Sequence, residues 1–251
     1  LLASILFGQP SFSTHNITTN AGSAEFVYAV DVDGDGDLDV LYANNDSDDF
    51  MWMQNDLSAN GSVGLSTSHT IDNNIDAVTE AYAADLDNDG DIDLLAASHS
   101  NDKIAWYENG GSGDFTYHLL NGSTDGATSV YAADLDNDGD IDVVSASDND
   151  NKIAWYENDG ATDPSFTART ITTGAQGVQS VFTVDLDSDG DIDILSAEAN
   201  IDAIRWYEND GAADPSFTLR ETITPNPTKS DYAFSVYAAD VDQDGDMDVL
   251  S

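Results

Sequence analysis

Cysteine is absent from the 251 residues, which removes disulfide scaffolds, thiolate zinc sites and cysteine nucleophiles. Basic residues are scarce: six Lys plus Arg stand against 49 Asp plus Glu, for a formal net charge of -43. Clustered Lys and Arg hold nucleic-acid phosphates and anionic membrane surfaces, so neither is expected as a partner. No apolar run reaches the roughly 18 residues of a membrane span, and no segment keeps a capped helical period. No Gly-x-Ser-x-Gly elbow or phosphate-cradling Gly-Lys-Ser occurs. The chain is nevertheless built to fold: 40% of it is hydrophobic, with 4 Trp, 10 Tyr and 9 Phe, more than a solvated acidic tail would hold.

The acid is concentrated in five windows, each with Asp at its first, third, fifth, seventh and ninth positions and Gly at its sixth. They are Asp31, Asp33, Asp35, Asp37 and Asp39; Asp85, Asp87, Asp89, Asp91 and Asp93; Asp134, Asp136, Asp138, Asp140 and Asp142; Asp185, Asp187, Asp189, Asp191 and Asp193; and Asp240, Asp242, Asp244, Asp246 and Asp248. Together they account for 25 of the 49 acids. The windows recur about every 50 residues. Trp52, Trp106, Trp155 and Trp206 each follow the first Asp of their window by 21 residues, and an aromatic (Tyr28, Tyr82, Tyr131, Phe182, Tyr237) precedes it by three.

Each unit reads as four short strands, typified by 129–133, 141–146, 152–157 and 166–172, with Asn158-Asp159-Gly160 as a turn signal. Four strands at this period are the signature of a β-propeller blade; a β-solenoid, with shorter coils, is the alternative. The expected fold is therefore an all-β propeller of five four-stranded blades in one domain, residues 1–251, with the fifth blade split between residues 1–20 and 231–251. Ile5-Leu6-Phe7 would be its third strand, in preference to a signal-peptide remnant. Pro10-Ser11-Phe12-Ser13 aligns with Pro164-Ser165-Phe166-Thr167 and would begin its fourth. Closure would remove open sheet edges.

Five carboxylates in nine residues repel: two charges about 5 Å apart cost roughly 3 kcal/mol at an effective dielectric of about 20. A hard divalent cation relieves this, and calcium accepts six to eight oxygen ligands in flexible geometry. Gly36, Gly90, Gly139, Gly190 and Gly245 permit a sharp turn. By analogy with other calcium loops, the seventh residue offers its carbonyl and the ninth closes the cage. An EF-hand needs Glu at position twelve between two helices. Here that position is Tyr42, Ala96, Ser145, Ser196 or Ser251, followed or flanked by strand-like residues. Five Ca2+ ions are expected, one per blade. If each saturates at about ten times its dissociation constant, five add about 7 kcal/mol, comparable to the net stability of a domain.

The pattern Asp-x-Asp-x-Asp-Gly-Asp-x-Asp between two strands, repeated at one blade's length, resembles the FG-GAP/VCBS repeat family, which includes the N-terminal propeller of integrin α-chains and many bacterial surface and secreted proteins. The resemblance covers nearly the whole chain. It implies a propeller with one calcium in the loop between the first two strands of each blade. The literal Phe-Gly…Gly-Ala-Pro signature is missing, and five windows are fewer than the seven blades of integrin propellers.

Beyond the windows, the polar residues form no obvious set. His15, His69, His99 and His118 do not recur in phase, and no two have metal-ligand spacing. Lys103, Lys152, Arg169, Arg205 and Arg220 are expected to pair with nearby Asp. The adjacent pairs Trp106–Tyr107, Trp155–Tyr156 and Trp206–Tyr207 face opposite sides of one strand. One ring of each pair must pack between blades; the other is a candidate sugar-stacking surface, against the alternative that both are packing. Met53 breaks this pattern in the first unit. Asn16, Asn45, Asn60 and Asn121 begin glycosylation sequons. The expected protein is a monomeric, secreted or surface-displayed, calcium-stabilised module that recognises a glycan or extracellular protein. A propeller enzyme acting on polysaccharide and a purely structural module are the alternatives.

Overall fold

Runs of Val, Ile, Tyr, Phe and Trp, punctuated by Gly, Asn and Asp, fit a pleated, half-buried surface and form strands. A computed structural model describes residues 17, 22–56, 64–223 and 232–251. The strands expected within residues 1–16 lie outside these. The first described blade holds β1 (Val27–Val30), β2 (Asp39–Asn44), β3 (Asp49–Asn55) and β4 (Leu65–Asp72). The second holds β5 (Val78–Ala84), β6 (Asp93–Ser98), β7 (Lys103–Asn109) and β8 (Phe115–Asn121). The third holds β9 (Ala127–Ala133), β10 (Asp142–Ser147), β11 (Lys152–Asn158) and β12 (Phe166–Thr172). The fourth holds β13 (Val178–Val184), β14 (Asp193–Glu198), β15 (Ala203–Asn209) and β16 (Phe217–Ile223), and β17 (Tyr237–Ala239) with β18 (Asp248–Leu250) begins a fifth.

Each of the four complete sheets is antiparallel and ordered first to fourth strand, and β17 pairs only with β18 among the described residues. The fold is a β-propeller with four complete blades and a two-stranded fifth unit. The second strands of the middle blades, β6, β10 and β14, are buried at every residue, whereas fourth strands such as β12 are partly exposed. The first strands lie innermost, with β5 against β9 and β9 against β13.

Four apolar layers fill the spaces between successive sheets. Trp52 of the first blade shares a layer with Tyr107 of the second. Trp106 shares one with Tyr156, and Trp155 shares one with Tyr207. Adjacent aromatics on the third strand thus serve opposite neighbours, because successive side chains leave opposite faces. Along the inner strands, the aromatics three residues before each window make a continuous arc. Ring centroids are 5.9 Å apart for Tyr28–Tyr82, 4.1 Å for Tyr82–Tyr131, 5.1 Å for Tyr131–Phe182 and 4.6 Å for Phe182–Tyr237.

Candidate metal centres

Every window occupies the hairpin connection between the first and second strands. In the third blade Ala133 pairs with Asp142, so the ninth Asp opens the second strand. The same register joins Val30 to Asp39, Ala84 to Asp93, Val184 to Asp193 and Ala239 to Asp248. The turn needs left-handed backbone at two places. Position four adopts φ of 60° at Asn88 and Asn137 and 64° at Ser188 and Gln243, and position six is glycine with φ from 94° at Gly36 to 100° at Gly245. Only glycine takes the latter values without strain.

The curl brings carboxylates together. Oxygens of Asp31, Asp33 and Asp39 lie within 4.8 Å of one another, as do those of Asp85, Asp87 and Asp93, of Asp134, Asp136 and Asp142, and of Asp240, Asp242 and Asp248. In the fourth blade the trio is Asp185, Asp187 and Asp189. Calcium–oxygen distances of about 2.3–2.6 Å place ligands on opposite sides of one ion about 5 Å apart, so these sets fit a calcium ion. All donors are oxygens, the chemistry of a hard cation. The first Asp orients the loop through backbone donors: Asp134 accepts the N–H groups of Asp138 and Gly139 at 3.2 and 3.1 Å.

The ninth Asp has a second task. Asp142 is buried and accepts Leu135 N–H at 3.1 Å through Oδ2 and Asn158 N–H at 2.8 Å through Oδ1. Asp39, Asp93 and Asp193 repeat both bonds, and Asp248 accepts Val241 N–H. Burial pushes Asp93 and Asp142 up to about 7, against the downward pull of these backbone donors. Asp39 and Asp193 are raised for the same reason. The seventh Asp stays outside the trios. Asp140 and Asp191 instead accept the side-chain amides of Asn88 and Asn137 in the preceding blade, at 2.9 and 2.8 Å. Their carboxyls also press on Gly160 and Gly211, where a Cβ would overlap them.

An Asn at the end of each third strand escapes motif reading. Asn109 donates to Val32 O of the preceding window at 2.8 Å and to Ile92 O of its own at 2.9 Å. Asn158 bridges Leu86 O and Ile141 O, and Asn209 bridges Leu135 O and Ile192 O. The available signal is spacing alone: Asn55, Asn109, Asn158 and Asn209 each follow their first Asp by 24 residues.

The proposed stacking aromatics are placed otherwise. Trp106, Tyr107, Trp155, Tyr156 and Tyr207 are at most 3% exposed, which leaves no ring face for a sugar, and Trp206 is half-buried against the fourth layer. Packing between blades accounts for Trp106, Tyr107, Trp155, Tyr156 and Tyr207. Fourth-strand residues cover the Trp rings: His69 stacks on Trp52 at 4.5 Å, His118 on Trp106 at 4.4 Å, and Arg169 lies 5.4 Å above Trp155. The Arg residues pair mainly with Glu, as in Arg169–Glu157, Arg205–Glu198 and Arg220–Glu208, where Asp was expected; Arg169 also reaches Asp214.

The FG-GAP-like repeat model matches residues 31–96, 85–145, 134–196 and 185–251. No curated protein matches the chain significantly. Among solved structures, the chain is similar to a lectin of Agrocybe aegerita described for specific recognition of non-reducing terminal N-acetylglucosamine, at 20% identity and TM-score 0.53 over 79% of this chain and 51% of that one. It is similar to the V. cholerae biofilm matrix protein Bap1 at 20% identity and TM-score 0.51, over 84% of this chain and 30% of that one. The periplasmic gluconolactonase PpgL of Pseudomonas aeruginosa gives 13% identity and TM-score 0.56, over 89% and 56%. The chain spans from under a third to little more than half the length of these proteins. No described helix is long and apolar enough to cross a membrane.

Proposed function

Because this chain belongs to the FG-GAP-like repeat family, we propose that it is a calcium-stabilised, non-enzymatic binding module that works outside the cell and recognises a glycan or protein partner. The observation that carries this is the fivefold recurrence of a converging carboxylate trio at one hairpin. In each blade the first and third Asp, with the ninth or fifth, would hold the ion. Bound calcium would supply positive charge that cancels the repulsion within the loop and ties the first strand to the second. Millimolar extracellular calcium suits open sites of this kind.

Lectin and biofilm-matrix relatives in fold support a recognition role outside the cytoplasm. One observation favours a second reading, a propeller enzyme acting on polysaccharide: His99 Nε2 lies 3.2 Å from Asp148 Oδ1, and both line one cleft. A glycan array with calcium and with chelator tests both. Calcium-dependent retention without product supports the binding module; released oligosaccharide supports the enzyme. Neither retention nor product, together with no protein captured from extracellular matrix, removes the recognition role.

A further inference from the structure

A cleft of about 490 Å³ opens on the axis at the end of the inner strands opposite the Asp windows. All five units reach it: Glu25 from the first, Glu80 and His99 from the second, Asp148 from the third, Gln179 from the fourth and Phe234 from the fifth. Its volume lies within the roughly 300–1,000 Å³ of small-molecule sites. The floor follows from strand geometry. Residues i and i+2 share a strand face, so Glu80 lies on the same face as Tyr82, which belongs to the arc of tilted and edge-on aromatics along the inner strands.

The cleft is where the repeat stops repeating. Five residues before the window stand Ser129, Ser180 and Ser235, but Phe26 in the first blade and Glu80 in the second. A carboxylate in place of a serine beside the axis is costly to desolvate, and burial pushes Glu80 up to about 7 although Ser129 O–H and Val130 N–H both donate to its Oε2. The preceding position is bulged in the second, third and fourth blades, and bulges re-aim side chains. Thr79 and Thr128 use the bulge to bond carbonyls of the next blade, Ala127 O and Val178 O. Gln179 instead donates to Gly177 O at 3.3 Å and to Asp148 Oδ2 at 3.4 Å, and bonds no carbonyl of the next blade. Phe234, at the same repeat position, is 71% exposed. The inter-blade bond of the second and third blades is thus absent at Gln179 and Phe234, where a planar amide and an open ring line the cleft instead.

We propose that this axial cleft binds a saccharide without acidic groups, with Glu80, Asp148 and Gln179 taking its hydroxyls and Phe234 packing on its apolar face. This rests on the recognition role proposed above. Carboxylates, amide and ring supply acceptors, donors and a flat apolar surface, the complement of a pyranose. Glu25, Glu80 and Asp148, within a chain of net charge -43, repel uronate and sulfated sugars.

The test is calorimetric titration of the calcium-loaded full chain with neutral hexoses, hexosamines, N-acetylhexosamines and uronates. Binding of one non-acidic class and not of uronates is expected. Asp148→Asn should weaken it about tenfold or more, a hydrogen bond to a charged group being worth that much, and Phe234→Ala about threefold or more through the lost ring contact, with melting temperatures held. Phe234 is exposed, so its variant keeps the proposal testable if Asp148→Asn fails to fold. Uronate preference, no binding of any non-acidic sugar, or unchanged affinity in Phe234→Ala and folded Asp148→Asn overturns the cleft assignment. If the wild type binds a glycan that both variants still bind, recognition stands and only this site is lost.

Discussion

At the scale of single residues, the five aspartates of a window divide their work. Asp142 meets the other carboxylates and also satisfies two backbone N–H groups, whereas Asp138 is exposed and accepts Asp140 N–H. Asp142→Ala should therefore destabilise even the chelated protein by about 2–4 kcal/mol, since each buried orphaned donor costs about 1–3. Asp138→Ala should cost less than about 0.5 kcal/mol in chelator and show its effect only as a smaller calcium-induced rise in melting temperature. Urea titrations of both variants with and without calcium check the split. Gly139 has φ of 98° and open space where a Cβ would stand, so Gly139→Ala should cost about 1–3 kcal/mol through backbone strain alone. The alternating acids and the glycine were legible in the sequence because they fall within nine residues and recur in all five units. The double duty of the ninth residue was not, because an acceptor for Asn158 N–H is defined only once the third strand lies beside the second.

At the scale of elements, strands three and one carry the contacts between blades. Asn158 holds the second window against the third through Leu86 O and Ile141 O, while Asn55 donates its amide to Leu38 O of its own window. Asn158→Ala should lower stability by about 2–3 kcal/mol and Asn55→Ala by about 1, from the number of buried acceptors each leaves, as measured by thermal unfolding. Trp155→Ala should cost about 3–5 kcal/mol, as for a core truncation; its effect belongs to folding and should appear with no ligand present. The strands were legible from their alternation and turn signals, and β12 spans the expected 166–172. The third blade's first strand begins earlier than expected, at Ala127, because the bulge at Thr128 lets pairing continue past an extra residue. The burial of both Trp and Tyr was undecided in the sequence: alternation sends them to opposite faces, and only the presence of a sheet on each side covers both.

At the scale of the molecule, buried carboxylates couple charge to stability. Asp93, Asp142 and Glu80 have folded-state pKa values of about 7 because burial disfavours their charge. Unfolded carboxylates titrate near 4. Between these values the folded ion-free protein holds more protons than the unfolded chain, so its stability must fall as pH rises from about 4 to about 7. Calcium bound as proposed would compete with those protons at Asp93 and Asp142. With calcium present the trend should reverse, and melting temperature should rise over the same interval. Calorimetric scans at about pH 4.5 and about pH 7.5, with calcium and with chelator, read out both signs. Titration of the chelated chain should saturate at about five calcium ions, offsetting ten formal charges.

The repeat, its strands, its hairpin loops and their oxygen-only chemistry were determined by the sequence itself, because each depends on residues close together in the chain and recurs in every unit. What the tertiary structure decided lies between units. Packing of sheet on sheet assigned the aromatics to buried layers, gave the third-strand asparagines partners more than 70 residues away, and drew unlike residues of five units around one cleft. A local pattern cannot encode these, since each needs two blades at a fixed distance before a bond or a cavity exists.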